Sequence, residues 1–456
     1  MMNNHSFKKY LAICGKQILI VGVVVICLAI LLWNLYPTYY SCCDASDYWK
    51  ISEDISIMKT SSVYAIRTFV YPLFISITRF IPIHLSIDLN IQYFLLSLVQ
   101  LSLHMISVIA LGYITYLLTN SKLLTDYAIS IYGLDIFLIA YTNQILTDGI
   151  AVYLLVIDIA ILTAFINNGN NKIIVLYFSF LTGLLPMIRP ALILVSITVY
   201  CIFIGLYIYR VKILKSSLFV LCVSLLFFFL PWLIQFIISP ATFSIVSKLG
   251  KSHLLYGSYL YKYMTIVQPE VYGYASVNES IKQLIGVCEG LQEQSTCIKE
   301  VLISHPLATF QHYITKLMAI NDQVYLFPYI TNFYTPFRYL WRTINCVFLA
   351  SSFIGFIILT FKVIRNKKEY LFQTLCLIII VASCLLPLIN SVPEERFGLT
   401  FHPLFAICTS YFINTYKEGK NRYSRLMQLM GFTIILSLLF QFSCNIESTF
   451  TLRLNG

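Results

Sequence analysis

Residues 18–33 read ILIVGVVVICLAILLW, and residues 218–230 read LFVLCVSLLFFFL. Neither stretch has a polar face: its few polar residues follow neither the 3.6-residue period of a surface helix nor the alternation of a half-buried strand. A helix rises 1.5 Å per residue, so about 20 such residues cross a ~30 Å hydrocarbon layer. Transmembrane β-strands would run about 10 residues and alternate in polarity, which excludes a barrel. The first stretch exceeds the roughly 7–15 apolar residues of a secretory signal and no small-x-small cleavage site follows it, so it is expected to remain as a helix.

The rest of the chain repeats that pattern. Of 456 residues, 59% are hydrophobic and 11% charged, whereas an ordinary soluble domain carries about a quarter of its residues charged. A water-covered globule is excluded. Thirty-one basic residues stand against 20 acidic ones, a net charge of +11. Most of the excess lies in short tracts between apolar runs, where Lys and Arg set membrane orientation, so no nucleic-acid partner is expected.

Assigning the basic short loops to the cytoplasm gives one consistent alternation, with a cytoplasmic N-terminus. Spans are then expected at 17–36, 92–118, 127–142, 149–166, 173–188, 190–209, 216–238, 338–361, 370–388, 401–416 and 429–447. Thr68 to Pro82 is short and is interrupted by Tyr71-Pro72 and Arg79; it reads as a helix lying on or dipping into the outer face, with an ordinary twelfth crossing as the alternative. Three parts follow: an N-terminal transmembrane module, 1–238, with a first outer loop at 37–90; an outer subdomain, 239–337, expected to be small and α-helical; and C-terminal helices, 338–456. Cys288 and Cys297, in CEGLQEQSTC on the outer side, are expected to form a disulfide in that oxidising space.

This alternation gathers unusual polar groups on the outer side: Asp44 and Asp47 in SCCDASDYWKIS, Asp148 in NQILTDG, Arg189 in LLPMIRP, and Glu394, Glu395 and Arg396 in VPEERF. A charge at the hydrocarbon boundary costs about 2.5–3.5 kcal/mol on insertion scales unless a wet cavity or a partner receives it. Helical spacing puts Asp44 and Asp47 on one face, where they can supply a general base or hold a divalent ion; helix capping is the plainer alternative. Arg189 offers planar paired donors to phosphate oxygens, or snorkels to the interface. Asp148 can cap its helix, and Glu394, Glu395 and Arg396 can form a surface ion pair. The histidines never occur at zinc-ligand spacing, and no phosphate-binding glycine loop is present.

In order along the chain, DASDY (44–48), RTFVYPLF (67–74), LTDG (146–149), GLLPMIRP (183–190) and EERFGLTFHPLF (394–405) resemble the GT-C superfamily of polyprenyl-phosphate-dependent glycosyltransferases. The resemblance implies an all-α polytopic bundle of about eleven transmembrane helices with a small periplasmic subdomain. It implies Asp44 as the catalytic carboxylate with Asp47 as second candidate, and Arg189, Arg396, Arg67 and Arg79 as donor-phosphate contacts. Tyr48, Asp148, Glu394 and Glu395 support them, and any divalent metal is expected at Asp44 and Asp47. KSHLLYGSYLYKYM (251–264) and CEGLQEQSTC (288–297) are similar to the bactoprenol-glucosyl transferases of phage serotype-conversion cassettes. That narrower similarity implies transfer of one hexose, glucose, from undecaprenyl phosphate to a surface glycan such as lipopolysaccharide O-antigen. The setting would be the periplasmic face of a bacterial inner membrane, with a donor-synthesising enzyme and a flippase as pathway partners. The alternatives are an O-antigen polymerase or ligase and a lipid-linked sugar transporter.

Overall fold

The computed structural model describes residues 4–35, 43–57, 67–168, 172–210, 215–238, 254–264, 271–323, 338–365, 381, 394–418, 422–448 and 451–454. Among these, seven helices are long and apolar enough to cross a membrane: Ser6–Asn34, Leu89–Thr119, Thr147–Phe165, Pro190–Ile208, Leu218–Ile238, Tyr339–Lys362 and Arg425–Ile446. Ile173–Ile188 is a shorter apolar helix. The chain is a multi-pass, predominantly helical membrane protein. It divides into two compact units, one of residues 1–245 and 361–383, the other of residues 246–360 and 384–456. The span expected at 370–388 lies outside the described residues except for Val381.

The first unit runs α1 (Asn4–Leu35), α2 (Cys43–Ser56), α3 (Val70–His84), α4 (Leu89–Thr119), α5 (Lys122–Gly133), α6 (Ile136–Tyr141), α7 (Thr147–Asn168), α8 (Lys172–Ile188), α9 (Ile193–Arg210) and α10 (Lys215–Ile238). Its principal packing pairs are α4 with α7 and α8 with α10. Lipid tails are as apolar as leucine, so association here relies on close approach and interhelical hydrogen bonds rather than on the hydrophobic effect. Gly183 supplies the close approach: a Cβ there would strike the backbone of Phe228. Ser179 and Ser224 supply a hydroxyl bridge at 2.8 Å, and Tyr200 joins Ser224 at 2.6 Å. Gly183→Ala is expected to destabilise the protein by about 1–3 kcal/mol, read as a lower melting temperature in detergent.

One expected span is corrected. Residues 127–142 form no single helix but parts of α5 and α6, interrupted at Leu134 and Asp135. Asp135 begins a new helix by accepting from the backbone N–H groups of Phe137 and Leu138, at 3.1 and 3.3 Å, an N-cap that outweighs continuation of the apolar run. Close by, the His104 ring meets the carbonyl oxygen of Gly133 at 3.3 Å. The short α6 then delivers the chain into the 142–146 loop. As for 68–82, α3 is a 15-residue helix, shorter than the ~20 residues of a perpendicular crossing.

The second unit holds β1 (Leu260–Met264), β2 (Val271–Val277), α11 (Glu279–Gly286), α12 (Gln294–Ser304), α13 (Pro306–Ile320), α14 (Arg338–Arg365), a 3-10 turn at Glu395–Phe401, α15 (His402–Glu418), α16 (Arg422–Ser448) and β3 (Thr451–Leu454). The 239–337 segment is therefore not purely α-helical: its β1 and β2, together with β3, make an antiparallel sheet in that order. The tyrosine-rich sequences LYKYM and VYGYASV have the aromatic, β-branched character that fits a pleated surface. The expected disulfide is present between Cys288 and Cys297, with Cα atoms 5.6 Å apart. Cys288 packs in a small core with Ile281, Ile285 and Ile298.

That unit also buries charge. Lys262 of β1 pairs with Asp322, Nζ to Oδ2 at 3.3 Å, and Lys316 of α13 donates to the carbonyl of Gly257 at 2.7 Å. Burial pulls the Lys316 ammonium down to about 7. One turn earlier on the same helix, burial and then the charge of Lys316 pull His312 from 6.5 to about 4. The unfolded chain binds a proton at His312 near pH 6.5 and the folded one resists until about pH 4, so stability falls as pH drops through that window. The expected result is a melting temperature that declines on acidification from pH 6.5 to 4, less steeply in His312→Phe. Equal slopes in the two proteins would refute the assignment.

Candidate functional site

The first unit brings two ion-paired groups together through one tyrosine. Asp44 lies in the first turn of α2, where a carboxylate is favoured by the helix dipole, and Asp47 follows one turn on. Arg67, just ahead of α3, faces both: Nη2 donates to Asp44 Oδ1, and Nε donates to Asp47 Oδ2 at 3.2 Å. The side chains of Arg67 and Asp44 are 26% and 24% exposed, so the pair is reachable rather than sealed. Burial works against the Arg67 charge, but Asp44, Tyr48 and Asp47 outweigh it and raise its hold on the proton.

The second group is sealed. Asp148, in the first turn of α7, accepts from Arg189 Nη1, and the two side chains are 2% and 6% exposed. The local sequence explains the geometry of Arg189. Pro190 disfavours the helical region for the residue before it, and Arg189 accordingly takes φ −140°, ψ 107° between α8 and the next 3-10 turn. The guanidinium thus leaves the axis of α8 and meets α7. The 142–146 loop that leads into Asp148 is itself tied to α4: Gln100 donates to the carbonyls of Thr142 and Gln144, each at 3.1 Å, and Ser97 donates to Asn143 Oδ1 at 2.8 Å.

Tyr48 connects the two groups. Arg67 lies 5.5 Å from its ring centroid, and its hydroxyl is hydrogen-bonded to Thr147, beside Asp148. Burial pushes the phenol up, with Arg67 opposing and Asp44 and Asp148 adding to the rise. Tyr71, on the first turn of α3, packs edge-on against Tyr48 with centroids 5.0 Å apart. Elements α2, α3, α7 and the α8–α9 junction therefore converge on one polar cluster of three carboxylates, two guanidiniums and two buried phenols.

Of the first unit's expected residues, Arg79 does not join it. Arg79 donates to Gln92 Oε1 at 2.9 Å and Ser52 Oγ at 3.0 Å, pairs with Glu53 at 3.4 Å, and stacks 3.6 Å over the ring of Trp49. Its donors serve the junction of α2, α3 and α4. Arg396 pairs with Glu394 within the second unit; the Glu395 side chain lies outside the described residues. A metal at Asp44 and Asp47 does not fit this arrangement, because Arg67 takes the position between the carboxylates and no third acidic, histidine or cysteine ligand joins them among the described residues. Thr147 was not singled out by the sequence. Thr147 lies beside Asp148 in LTDG, which is the signal that could have drawn attention to it.

By sequence the chain matches no protein-family profile and no curated protein. Its structure is similar to that of the archaeal oligosaccharyltransferase AglB from Archaeoglobus fulgidus in complex with an inhibitory peptide and a dolichol-phosphate, with TM-score 0.50 and 12% identity over 96% of this chain and 56% of that one. The fold is of the GT-C type. The oligosaccharyltransferase of the same organism in complex with Zn and sulfate matches with TM-score 0.50 and 11% identity, over 93% of this chain and 53% of that one. In apo form it matches with TM-score 0.50 and 10% identity, over 95% and 56%. The chain spans just over half the length of these enzymes.

Proposed function

We propose that the protein is a membrane glycosyltransferase that takes a sugar from a polyprenyl-phosphate donor. The observation that carries this is the cluster itself: a reachable carboxylate pair faced by Arg67, joined through Tyr48 to the Asp148–Arg189 pair. In the proposed step an acceptor hydroxyl oxygen bonds to the anomeric carbon while the bond from that carbon to the phosphate oxygen breaks. The hydroxyl proton goes to Asp44, with Asp47 as second candidate, and the lipid phosphate leaves with its electron pair. Arg67 and Arg189 sit where guanidinium charge offsets the charge that develops, and positioning with charge stabilisation supplies most of the acceleration. Attack opposite the leaving group inverts the anomeric centre. Arg396 remains a proposed phosphate contact, and Arg79 a weaker one because its donors are already engaged.

The finer proposal is a single hexose, glucose, moved from undecaprenyl phosphate to a surface glycan such as lipopolysaccharide O-antigen. The setting is the periplasmic face of a bacterial inner membrane, with the donor delivered by a synthase and a flippase. The similar structures lend no support to a serotype-conversion enzyme specifically. A further similar structure, the Archaeoglobus fulgidus oligosaccharyltransferase tethered with an acceptor peptide containing the NVT sequon (TM-score 0.50, 11% identity, over 93% of this chain and 55% of that one), favours a second reading, glycan transfer to a peptide. Expression of the gene in a host that lacks it, with surface glycans and periplasmic glycopeptides compared by mass, separates the two. One added hexose per glycan unit supports the first reading, a glycopeptide the second, and no mass change in either would refute both.

A further inference from the structure

Helix α13 is amphipathic in the wrong sense for a water-covered surface. Leu307, Phe310 and Ile314 fall on one face by their spacing and are exposed, Leu307 by 70% and Phe310 by 64%. On the opposite face His312 and Lys316 are fully buried. A helix bordering water turns its apolar stripe inward and its charged residues outward. From Ile303, itself exposed, to Gln323 the only charged side chains are Lys316 and Asp322, and both are buried. No exposed charge interrupts the stripe.

The C-terminal end of the helix indicates what covers that face. Asn345 of α14 donates to the carbonyl oxygen of Asn321, the residue that closes α13, at 2.9 Å. The apolar stretch of α14 long enough to cross a membrane begins at Tyr339, which puts Asn345 about 9 Å along it at 1.5 Å per residue. Gly398 holds the same end from another side, since a Cβ there would strike the carbonyl oxygen of Ile320. The end of α13 is thereby fixed where α14 has already entered its apolar stretch, next to a band that starts with the exposed Tyr339 and Leu340. Lipid covers that band, and the charge-free stripe of α13 continues it. We propose that α13 is an interfacial helix, its Leu307, Phe310 and Ile314 lying in the boundary between headgroups and acyl chains on the side where α14 begins. The inference stands whether or not the protein transfers a sugar.

The test uses the full-length protein in vesicles of phosphatidylcholine and phosphatidylglycerol, a fraction of whose lipids carry bromine on the upper acyl carbons. Leu307→Trp and Phe310→Trp each add one fluorophore to the four native tryptophans, so either can report if the other folds poorly. Lys282→Trp, at a half-exposed position on α11, is the control, and subtraction of wild-type emission isolates the added one. Bromine about 5–10 Å below the headgroups is expected to at least halve the added emission of Leu307→Trp and Phe310→Trp and to leave that of Lys282→Trp unchanged. Added emission that bromine does not quench would overturn the proposal: a blue-shifted maximum would put the face against protein, a second copy included, and an aqueous maximum would leave it in water. Equal quenching of Lys282→Trp would also overturn it, because lipid contact would then not belong to the apolar face of α13.

Discussion

Asp44→Asn is expected to lower sugar transfer by about 10²–10⁴-fold, the range a positioned general base contributes, with donor affinity and melting temperature little changed. Asn keeps the shape of the side chain and still offers Arg67 a carbonyl oxygen, so the packing of α2 against α3 survives. What it loses is the carboxylate proposed to take the acceptor's proton. Asp44 is also only partly covered, its side chain being 24% exposed, so loss of its charge strands no sealed cation. Asp47→Asn should cost less: Asp47 meets Arg67 through Nε at 3.2 Å, and it acts mainly by holding that guanidinium in place. Single-turnover transfer rates alongside donor binding separate the two roles. Equal losses in both variants would point to the pair as a charge cluster with no single base.

Arg189→Met is expected to be the most destabilising of the site substitutions. The side chains of Asp148 and Arg189 are 2% and 6% exposed, and removing one member of such a pair leaves an uncompensated buried charge, worth roughly 3–5 kcal/mol. The double variant Asp148→Asn with Arg189→Met removes both charges and should recover much of the lost melting temperature, since a buried ion pair contributes little net stability over neutral residues of similar volume. Transfer should stay lost in the double variant, because the guanidinium proposed to offset the leaving phosphate is absent. Thermal melts and transfer rates on the same preparations decide the matter. Recovery of both together would reduce the pair to a structural role.

Loop charge and apolar run length located the long helices because both signals are strong in single stretches: Ile18 to Trp33 and Leu218 to Leu230 read as helix with no reference to any neighbour. The break at Leu134 and Asp135 was missed because the flanking runs are apolar, and one N-capping carboxylate is a weak signal inside them. LYKYM pairs with VYGYASV, whose other edge pairs with Thr451–Leu454, so the strand character of this segment depends in part on contacts far along the chain. At the site, Arg67 entered through the family resemblance, and Asp44, Asp47, Asp148 and Arg189 were legible as polar groups expected on one side of the membrane. Their partnerships were not: the Arg67–Asp44 pair joins residues 23 apart and Arg189–Asp148 residues 41 apart, separations that only the folded bundle closes. Arg79 shows the converse, a basic residue in a suggestive motif whose donors are spent on Gln92 and Ser52.

The most direct measurement is donor turnover by the purified protein in lipid vesicles. Undecaprenyl phosphate bearing a radiolabelled hexose is presented on the face that carries Asp44, with a surface-glycan acceptor. Wild-type protein is expected to release free undecaprenyl phosphate and to place one labelled sugar on the acceptor with inverted anomeric configuration, while the Asp44→Asn protein shows neither. Label that crosses the membrane with no new glycosidic bond, or transfer by Asp44→Asn at the wild-type rate, would contradict the account.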